Sequence, residues 1–265
     1  MRKYVFVSLG VMALLVSCFS NAPEQNTGEG QEWKSLFNGK NLEGWVPKIK
    51  HHELGDNYAN TFRVTDGKIQ VNYANYEAFD EQFGHLFYHQ PFSSYHLKLE
   101  YRFTDDWRED APDYAFRNSG VMFHAQDPHT MQKDQDWPIA IEYQMLAERE
   151  KGTSRPTGNV CTPGTHIFYE GEKFTDHCLN SSSDTYPPDQ WGRAELIVRR
   201  DSLITHVING DTVLQYTRPH VDGGVVKCYD PAVKKDGQAL TGGYIALQSE
   251  GHGVEFRNIR IKVLD

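Results

Sequence analysis

Glutamate and histidine side chains alternate with apolar residues in two stretches of this 265-residue chain. In "IAIEYQML" the apolar residues occupy every second position, so Glu142 and Gln144 point to the opposite face of a strand. In "SGVMFHAQ" the same period sends Val121 and Phe123 to a core and turns His124 toward the face of Glu142. An imidazole and a carboxylate on one face provide an acid–base pair or two ligands for a divalent metal ion. We therefore predict a site at His124 and Glu142, as catalytic groups or metal ligands, with Gln144 binding substrate.

Each residue also has a non-functional alternative: Glu142 as a solvated strand carboxylate, and His124 as a hydrogen-bonded imidazole in a polar groove. Neither alternative needs a ligand, and the alternation alone does not distinguish them from a catalytic pair.

A second polar cluster lies near the C-terminus, in "LQSEGHGVEFRNIRIKV". The second half of this stretch alternates as a core strand does, but Gln248, Glu250 and His252 stand among glycines at its start. Glycines permit close approach of the backbone. We therefore predict a pocket rim in which Glu250 and His252 are catalytic and Gln248 binds substrate. A turn with a simple Glu–His hydrogen bond is the alternative.

The cysteines predict one disulfide. Cys161 and Cys178 are close in sequence and flank a short apolar stretch, so we pair them and leave Cys228 free. A zinc site built from cysteines is disfavoured because no C-x-x-C spacing occurs. The disulfide would hold "CTPGTH" rigid, which makes His166 a catalytic candidate on a pocket wall.

Two more histidines, His85 and His89, bracket "LFY" at a spacing that points both to one side of a strand, but both fit a surface position equally well.

The N-terminus resembles a bacterial lipoprotein signal. Arg2 and Lys3 precede an apolar run too short to span a membrane comfortably, and the run ends in "LVSC". We predict a signal peptide over residues 1–17, lipidation of Cys18 and a flexible tether over residues 18–32. The protein would then be anchored by lipid to the outer membrane of the cell envelope, on the periplasmic or the surface face. A plain secretory signal with a chance cysteine is the alternative.

Short alternating stretches between turn residues dominate the rest of the chain. Asn209-Gly210 marks a tight hairpin, and no stretch of helical length is amphipathic. This pattern predicts a single all-β domain over residues 33–265, a two-sheet sandwich or jelly roll. Long segments without periodicity are expected to be ordered and functional; they cover residues 47–60, 104–118, 127–137, 147–190 and 219–241.

Composition narrows the possible partners. The formal net charge of −9 disfavours nucleic acid, because phosphate binding needs a basic face. We expect no nucleotide cofactor.

The sequence also argues against two common hydrolase types. Retaining jelly-roll glycosidases carry Glu-x-Asp-x-Glu on one strand, whereas this chain has Glu142-Tyr-Gln144-Met-Leu146. No G-x-S-x-G motif occurs, and the strand pattern is not that of an α/β hydrolase.

Several longer motifs together resemble one family. The chain contains "WKSLFNGKNLEGW", "NSGVMF", "IEYQML", "THVINGDTV" and "GGYIALQSEGHGVEFRNIRI". From about Trp33 to Leu264 these stretches resemble the family first named as domain of unknown function 1080 and now called the 3-keto-disaccharide hydrolases. The resemblance implies a concanavalin/glucanase-like β-sandwich, often an exported lipoprotein, that cleaves glycosides oxidised to a ketone at C3.

This chemistry needs no carboxylate nucleophile. A C3 ketone acidifies the C2 proton, so a base can remove that proton and the C1 aglycone can leave by elimination, with or without later hydration. The site needs a base, an acid for the leaving group and an electrophile for the C3 oxygen. His124 and Glu142 offer a base or metal ligands, and Arg117 or Arg257 offers a cation that binds substrate. A divalent metal ion is a possible cofactor.

The chain departs from the family pattern at one point. Many relatives carry Gln-Asp-His-Gly where this chain has Gln248-Ser-Glu250-Gly251. Glu250 thus stands where that pattern has an imidazole, and His252 follows two residues later.

A non-catalytic carbohydrate-binding module is the alternative function. Trp107, Trp137 and Trp191 would then stack on sugar rings, although all three fit equally well as anchors in the core or loops.

Overall fold

The computed structural model describes residues 1–3 and 32–265. Cys18, most of the predicted signal peptide and most of the predicted tether lie outside the described residues. Residues Gln31–Asp265 form one compact unit, and the account below concerns this unit. The helical turns in its described part are three short 3₁₀ turns, at Tyr58–Asn60, Asp113–Ala115 and Pro128–Thr130. No helix of the described residues is long and apolar enough to cross a membrane.

Seventeen strands occur in the described residues. They are β1 Lys34–Ser35, β2 Trp45–Ile49, β3 Phe62–Thr65, β4 Lys68–Val71, β5 Gly84–Tyr88, β6 Ser94–Trp107, β7 Asn118–Ala125, β8 Ile141–Leu146, β9 Asn159–Cys161, β10 Thr165–Tyr169, β11 Glu172–Phe174, β12 Cys178–Leu179, β13 Gly192–Arg199, β14 Leu203–Ile208, β15 Asp211–Val221, β16 Tyr244–Ser249 and β17 His252–Val263.

These strands form two antiparallel sheets. The large sheet has ten strands in the order β11-β10-β15-β14-β13-β6-β17-β4-β3, with β1 paired to β17. The small sheet has seven strands in the order β12-β9-β8-β7-β16-β5-β2. The predicted all-β sandwich is therefore confirmed.

The core lies between the two sheets and follows the period-two pattern. Leu97 and Leu99 of β6 and Phe256 of β17 come from the large sheet, and Val121 of β7 and Tyr143 of β8 come from the small sheet. Since these side chains fill the interior, their sequence neighbours on β7 and β8 point to the outer face of the small sheet.

The strand prediction was incomplete. Residues 147–190, predicted to be irregular, contain β9, β10, β11 and β12, each of two to five residues. Strands this short show too few alternations for a periodic pattern to appear. The hairpin predicted at Asn209-Gly210 is confirmed, because β14 pairs with β15 and both residues have positive φ.

Glycines shape the link from the small sheet to the large sheet. β16 ends at Ser249 and β17 begins at His252, so this link between the sheets consists of Glu250 and Gly251. Gly251 has φ +107°, and a Cβ there would lie 2.5 Å from Ala111 Cβ. A larger residue would be strained and would clash. The link is tight because its backbone passes against the loop before the Asp113–Ala115 turn.

Burial along β17 predicts how much stability each residue loses on substitution by alanine. Phe256 is fully buried, and Val263 on the same strand is 44% exposed. We expect Phe256→Ala to lower the free energy of unfolding by about 3–5 kcal/mol, through lost burial and a residual cavity. Val263→Ala should change it by less than about 0.5 kcal/mol. Urea unfolding of both variants measures the difference; equal costs would contradict the described core.

Candidate active site

Polar side chains cover the outer face of the small sheet at its centre. Glu142 of β8 is opposite Met122 of β7, and Gln144 is opposite Gly120. Gln248 of β16 is paired with His85 of β5. Because Val121, Tyr143 and Leu247 belong to the core, these polar side chains share the face turned away from the large sheet.

Loops cover this face and enclose a cavity of about 520 Å³. This volume falls within the roughly 300–1,000 Å³ that small-molecule sites have. The lining combines three carboxyls, two guanidinium groups, two aromatic side chains and the disulfide. The lining residues are Asp113, Tyr114, Asn118, Trp137, Glu142, Gln144, Leu146, Arg149, Arg155, Cys161, Pro163, His177, Cys178, Val225 and Glu250.

Two buried carboxyls, Glu142 and Glu250, line the same cavity. The Glu142 side chain crosses over Gly120, where a Cβ would lie 2.7 Å from Glu142 Oε1. Glycine at position 120 therefore gives the carboxyl the room that it occupies. Glu250 reaches the cavity from the link between the two sheets.

Burial favours the protonated form of both carboxyls. Burial raises the pKa of Glu142, and burial together with the negative charge of Glu142 raises the pKa of Glu250 well above its ordinary value. A hydrogen bond from the Trp137 side chain and the charge of Arg155 partly oppose the shift at Glu250. Burial and mutual repulsion therefore disfavour the doubly ionised state of the pair, whose two titrations are linked.

Several buried polar atoms near the pair have no hydrogen-bond partner among the described residues. They are Glu142 Oε1, Glu250 Oε2, Asn118 Oδ1, both amide atoms of Gln248 and both ring nitrogens of His85. An unpaired buried polar group costs about 1–3 kcal/mol, so a concentration of such groups is a feature of binding sites rather than of cores.

Cations line the mouth of the cavity. Arg155 Nη1 donates to the carbonyl oxygens of Phe116, Arg117 and Ala147, at 2.7–3.2 Å. Burial lowers the pKa of Arg155 to about 10, which still leaves it charged at neutral pH. Arg149 donates to Asp113. No sequence pattern marked these arginines, because they lie in a loop without periodicity.

Three comparisons relate this geometry to known proteins. The family model of the 3-keto-alpha-glucoside-1,2-lyase-like domain matches residues 32–262. This chain belongs to that family. It is also 25% identical over 249 residues to a 3-keto-disaccharide hydrolase of Bacteroides thetaiotaomicron, covering 87% of this chain and 78% of that protein. The family resemblance expected from the motifs is therefore confirmed.

Solved structures support the fold. Two crystal structures from Parabacteroides distasonis, each assigned by name to the glycosyl hydrolases, each match with a TM-score of 0.53. Their identities are 18% and 19%; each match covers 88% of this chain, and 94% and 100% of those chains. The Ca²⁺/Man3GlcNAc-bound exoplasmic domain of VIP36 matches with a TM-score of 0.50 at 9% identity, over 89% of this chain and 91% of that chain.

Within this family member, the structure separates His124 from Glu142. His124 has φ +46°, which interrupts the alternation of β7. Its Nε2 donates to the carbonyl oxygen of Arg200 at 3.0 Å, in the turn between β13 and β14. Burial lowers the pKa of His124 to about 4. The prediction that His124 shares a face with Glu142, as catalytic partner or second metal ligand, is therefore wrong.

His166 also lies away from the carboxylate pair. It sits on β10 of the large sheet, with its Nδ1 3.4 Å from Asp222 Oδ2. The predicted disulfide between Cys161 and Cys178 is present, and Cys228 is free and exposed. The disulfide lines the cavity, but the residue it brings there is His177. The prediction of His166 as a catalytic residue on the pocket wall is thus wrong.

His252 packs as a structural residue. Its Nε2 donates to Thr104 O at 2.9 Å, and its ring stacks on Trp107 and contacts Phe116. Burial lowers its pKa to about 4, which keeps the ring neutral. The structure therefore gives the Glu250–His252 segment one cavity-lining group, Glu250.

The two predicted substrate-binding arginines have other partners. Arg117 Nη1 donates to Glu148 O at 2.6 Å, which ties the loop behind the cavity mouth. Arg257 is paired with Glu100 at 2.7 Å and lies over Trp191, on the outer face of the large sheet. The prediction that Arg257 binds substrate at this cavity is therefore wrong. Arg117 instead holds the loop that contains Glu148.

The predicted substrate-binding glutamines both lie on the outer face of the small sheet. Gln144 lines the cavity, where its Oε1 accepts a hydrogen bond from Asn159 Nδ2 at 3.0 Å. Gln248 lies two strands away, on β16, between His85 of β5 and strand β7. Burial, followed by the charge of Lys48, lowers the pKa of His85 to about 3, so this ring is neutral. His85, given little weight from its sequence spacing, thus belongs to the polar face.

Because both carboxyls are buried, replacing Glu142 by a neutral side chain should stabilise the protein more at high pH than at low pH. A raised folded-state pKa means that the stability contribution is fully present below the ordinary value of 4.5 and is lost as pH rises through the folded-state pKa. We expect Glu142→Gln to stabilise the protein relative to wild type on the order of 1–3 kcal/mol more at pH 9 than at pH 5.

Urea unfolding across this pH range measures the difference. The exposed Glu172→Gln variant is the control, and its difference from wild type should stay constant. If the stability difference between Glu142→Gln and wild type were also independent of pH, the raised pKa of Glu142 would be contradicted.

Proposed function

We propose that this protein cleaves the glycosidic bond of 3-keto-glycosides in the cavity of the small sheet. The observation that carries the proposal is that the buried carboxyls of Glu142 and Glu250 line one cavity, where burial and mutual repulsion disfavour ionisation of both. The family membership and the 3-keto-disaccharide hydrolase relative support the same chemistry.

The reaction needs one proton acceptor and one proton donor. The ionised carboxylate of the pair takes the proton from C2, and the electron pair of the C2–H bond forms an enolate with the C3 ketone. The enolate then forms the C1–C2 double bond as the C1–O bond breaks. The protonated carboxyl gives its proton to the leaving oxygen, so the pair ends the elimination with the same number of protons. Later addition of water across C1 and C2 gives net hydrolysis.

Positive charge near the carbonyl oxygen would lower the barrier to enolate formation. Arg149 and Arg155 both line the cavity and supply this charge in a partly water-excluded site. Because Arg155 is fixed by three carbonyl oxygens through one nitrogen, its position is set before substrate binds.

The remaining polar groups fit the hydroxyls of a sugar ring. Gln144 and Asn118 line the cavity, and Gln248 lies on the same sheet face. Each amide both donates and accepts hydrogen bonds, as a hydroxyl does. Tyr114 and Trp137 supply apolar surface against which a ring can pack.

The proposed mechanism does not use the divalent metal ion that the sequence suggested as a cofactor. The proposed ligand pair of His124 and Glu142 is separated in the structure, and the carboxyls are assigned acid–base work instead.

A carbohydrate-binding module is less well supported. The three tryptophans that would form a platform lie in different places. Trp137 lines the cavity, Trp107 packs on His252, and Trp191 lies between Arg102 and Arg257. A flat stacking surface needs adjacent rings, so these tryptophans favour an enclosed site. Lipid anchoring at Cys18 and location in the cell envelope stay predictions.

Aglycone release from a 3-keto-glucoside and from its unoxidised parent tests the proposal. We expect release from the keto form alone, because only the ketone acidifies the C2 proton. Glu142→Gln and Glu250→Gln should each lower kcat/KM by about 10²–10⁴-fold, the usual contribution of a general acid or base. Glu195→Gln, which removes a carboxylate paired with His96 and Lys98 on the large sheet, should leave kcat/KM unchanged.

The same assay distinguishes the alternatives. Release from the parent glycoside would indicate ordinary glycoside hydrolysis by the carboxylate pair. Saturable sugar binding without release would indicate a binding module. In D₂O, deuterium at C2 of the sugar product, above that acquired by product incubated without enzyme, would report elimination followed by hydration.

A further inference from the structure

A second cluster of ionisable side chains lies on the large sheet, apart from the carboxylate pair. His166 is on β10, His220 is on the neighbouring strand β15, and Asp222 follows the end of β15. The register of the two strands pairs His166 directly with His220. One nitrogen from each histidine and one carboxylate oxygen lie within 4.8 Å of one another.

The separations within this cluster are those of ligands rather than of hydrogen-bond partners. His166 Nδ1 lies 3.4 Å and His220 Nε2 lies 3.8 Å from Asp222 Oδ2. Hydrogen bonds from nitrogen to oxygen are usually about 2.7–3.2 Å long. Two ligands at about 2.0–2.1 Å from a tetrahedral zinc ion stand roughly 3.3 Å apart.

Second-sphere contacts orient both rings. His220 Nδ1 donates to the carbonyl oxygen of Arg218 at 3.0 Å, so Nε2 is left to present a lone pair toward Asp222. The His166 ring fits against Gly223, where a Cβ would lie 2.7 Å from His166 Nε2. His166 Nδ1 is buried and has no hydrogen-bond partner in the part of the chain that the structure describes.

We propose that His166, His220 and Asp222 bind a zinc ion, with solvent in the fourth position. Two imidazoles and one carboxylate are a ligand set that suits zinc and not calcium or magnesium, which prefer oxygen ligands.

Lys173 competes with the ion. Its Nζ lies 2.6 Å from Asp222 Oδ2, so zinc has to displace this ion pair. Lys173 belongs to the three-residue edge strand β11, and its side chain is 41% exposed. An exposed ion pair of this kind contributes little free energy, so its loss is a small penalty on metal binding.

The site connects to the cavity wall through the backbone. Asp222 N donates to Gly164 O at 3.1 Å, and Gly164 N donates to Gly224 O at 2.9 Å. Pro163 and Val225, next to these glycines, line the cavity. Zinc would therefore brace the wall segment that carries Pro163 and Val225, without touching the reacting atoms.

Titration of metal-stripped full-length protein with zinc alone, by calorimetry and thermal unfolding, tests the site. We expect one ion bound per chain and a higher Tm with zinc. His166→Gln, His220→Gln and Asp222→Asn should each weaken zinc binding more than about 100-fold, beyond the 10–100-fold loss expected for an outer partner. His177→Gln removes the histidine beside the disulfide and should leave zinc affinity unchanged. X-ray absorption should show two imidazole ligands.

Lys173→Met guards against misfolding as an explanation, because a misfolded variant cannot bind more tightly. Removal of the competing ammonium should strengthen zinc binding several-fold. Unchanged zinc affinity in the three ligand variants, or loss on His177→Gln alone, would overturn the proposal. Activity of the Glu142 and Glu250 variants is a separate readout, so failure of this site and failure of the proposed function are distinguishable.

Discussion

Two carboxyl groups in one covered cavity impose the constraint on which the rest of the site depends. A second negative charge beside Glu142 is unfavourable where water is partly excluded, so the pair with Glu250 keeps a proton. In the proposed mechanism, that proton makes one group of the pair the acid while its neighbour is the base. The loops that cover the cavity must then bring positive charge close without ionising both carboxyls, and Arg155 does so from a site fixed by backbone carbonyl oxygens.

The sandwich supplies the rigidity that this arrangement needs. Glu142 projects from a central strand whose neighbouring residues are locked in the core, and Gly120 leaves space beneath its carboxyl. Glu250 instead comes from the tight link between the sheets, where Gly251 fixes the backbone against Ala111. The two carboxyls therefore line one cavity because a strand and a sheet-to-sheet crossing are held by the same core. Change in either glycine would move a carboxyl through the backbone rather than through a flexible side chain.

The period-two alternation of apolar residues correctly predicted which face of the sheet a side chain points to wherever the strand is regular. It placed Glu142 and Gln144 on the outer face, and it gave the two-sheet sandwich. It failed for His124, because a positive φ turns that residue out of the alternation and no letter in the sequence marks the bulge. The alternation could not predict that Arg149 and Arg155 line the cavity, because their positions follow from loop packing between residues far apart in sequence. The glycine-flanked segment indicated a rim, but only the fold shows which of its side chains lines the cavity.

The carboxyl at position 250 changes the chemistry that the family resemblance implied. An imidazole beside Glu142 would form an ion pair, and each partner would favour the charged form of the other. A carboxyl does the reverse, because repulsion from Glu142 favours the neutral acid at Glu250. The hydrogen bond from Trp137 and the charge of Arg155 partly oppose that rise in the pKa of Glu250. In the proposed mechanism, a neutral acid at Glu250 therefore takes the place of a cationic one while Glu142 on β8 remains the base, and the arginines that line the cavity supply the positive charge that an imidazolium would bring.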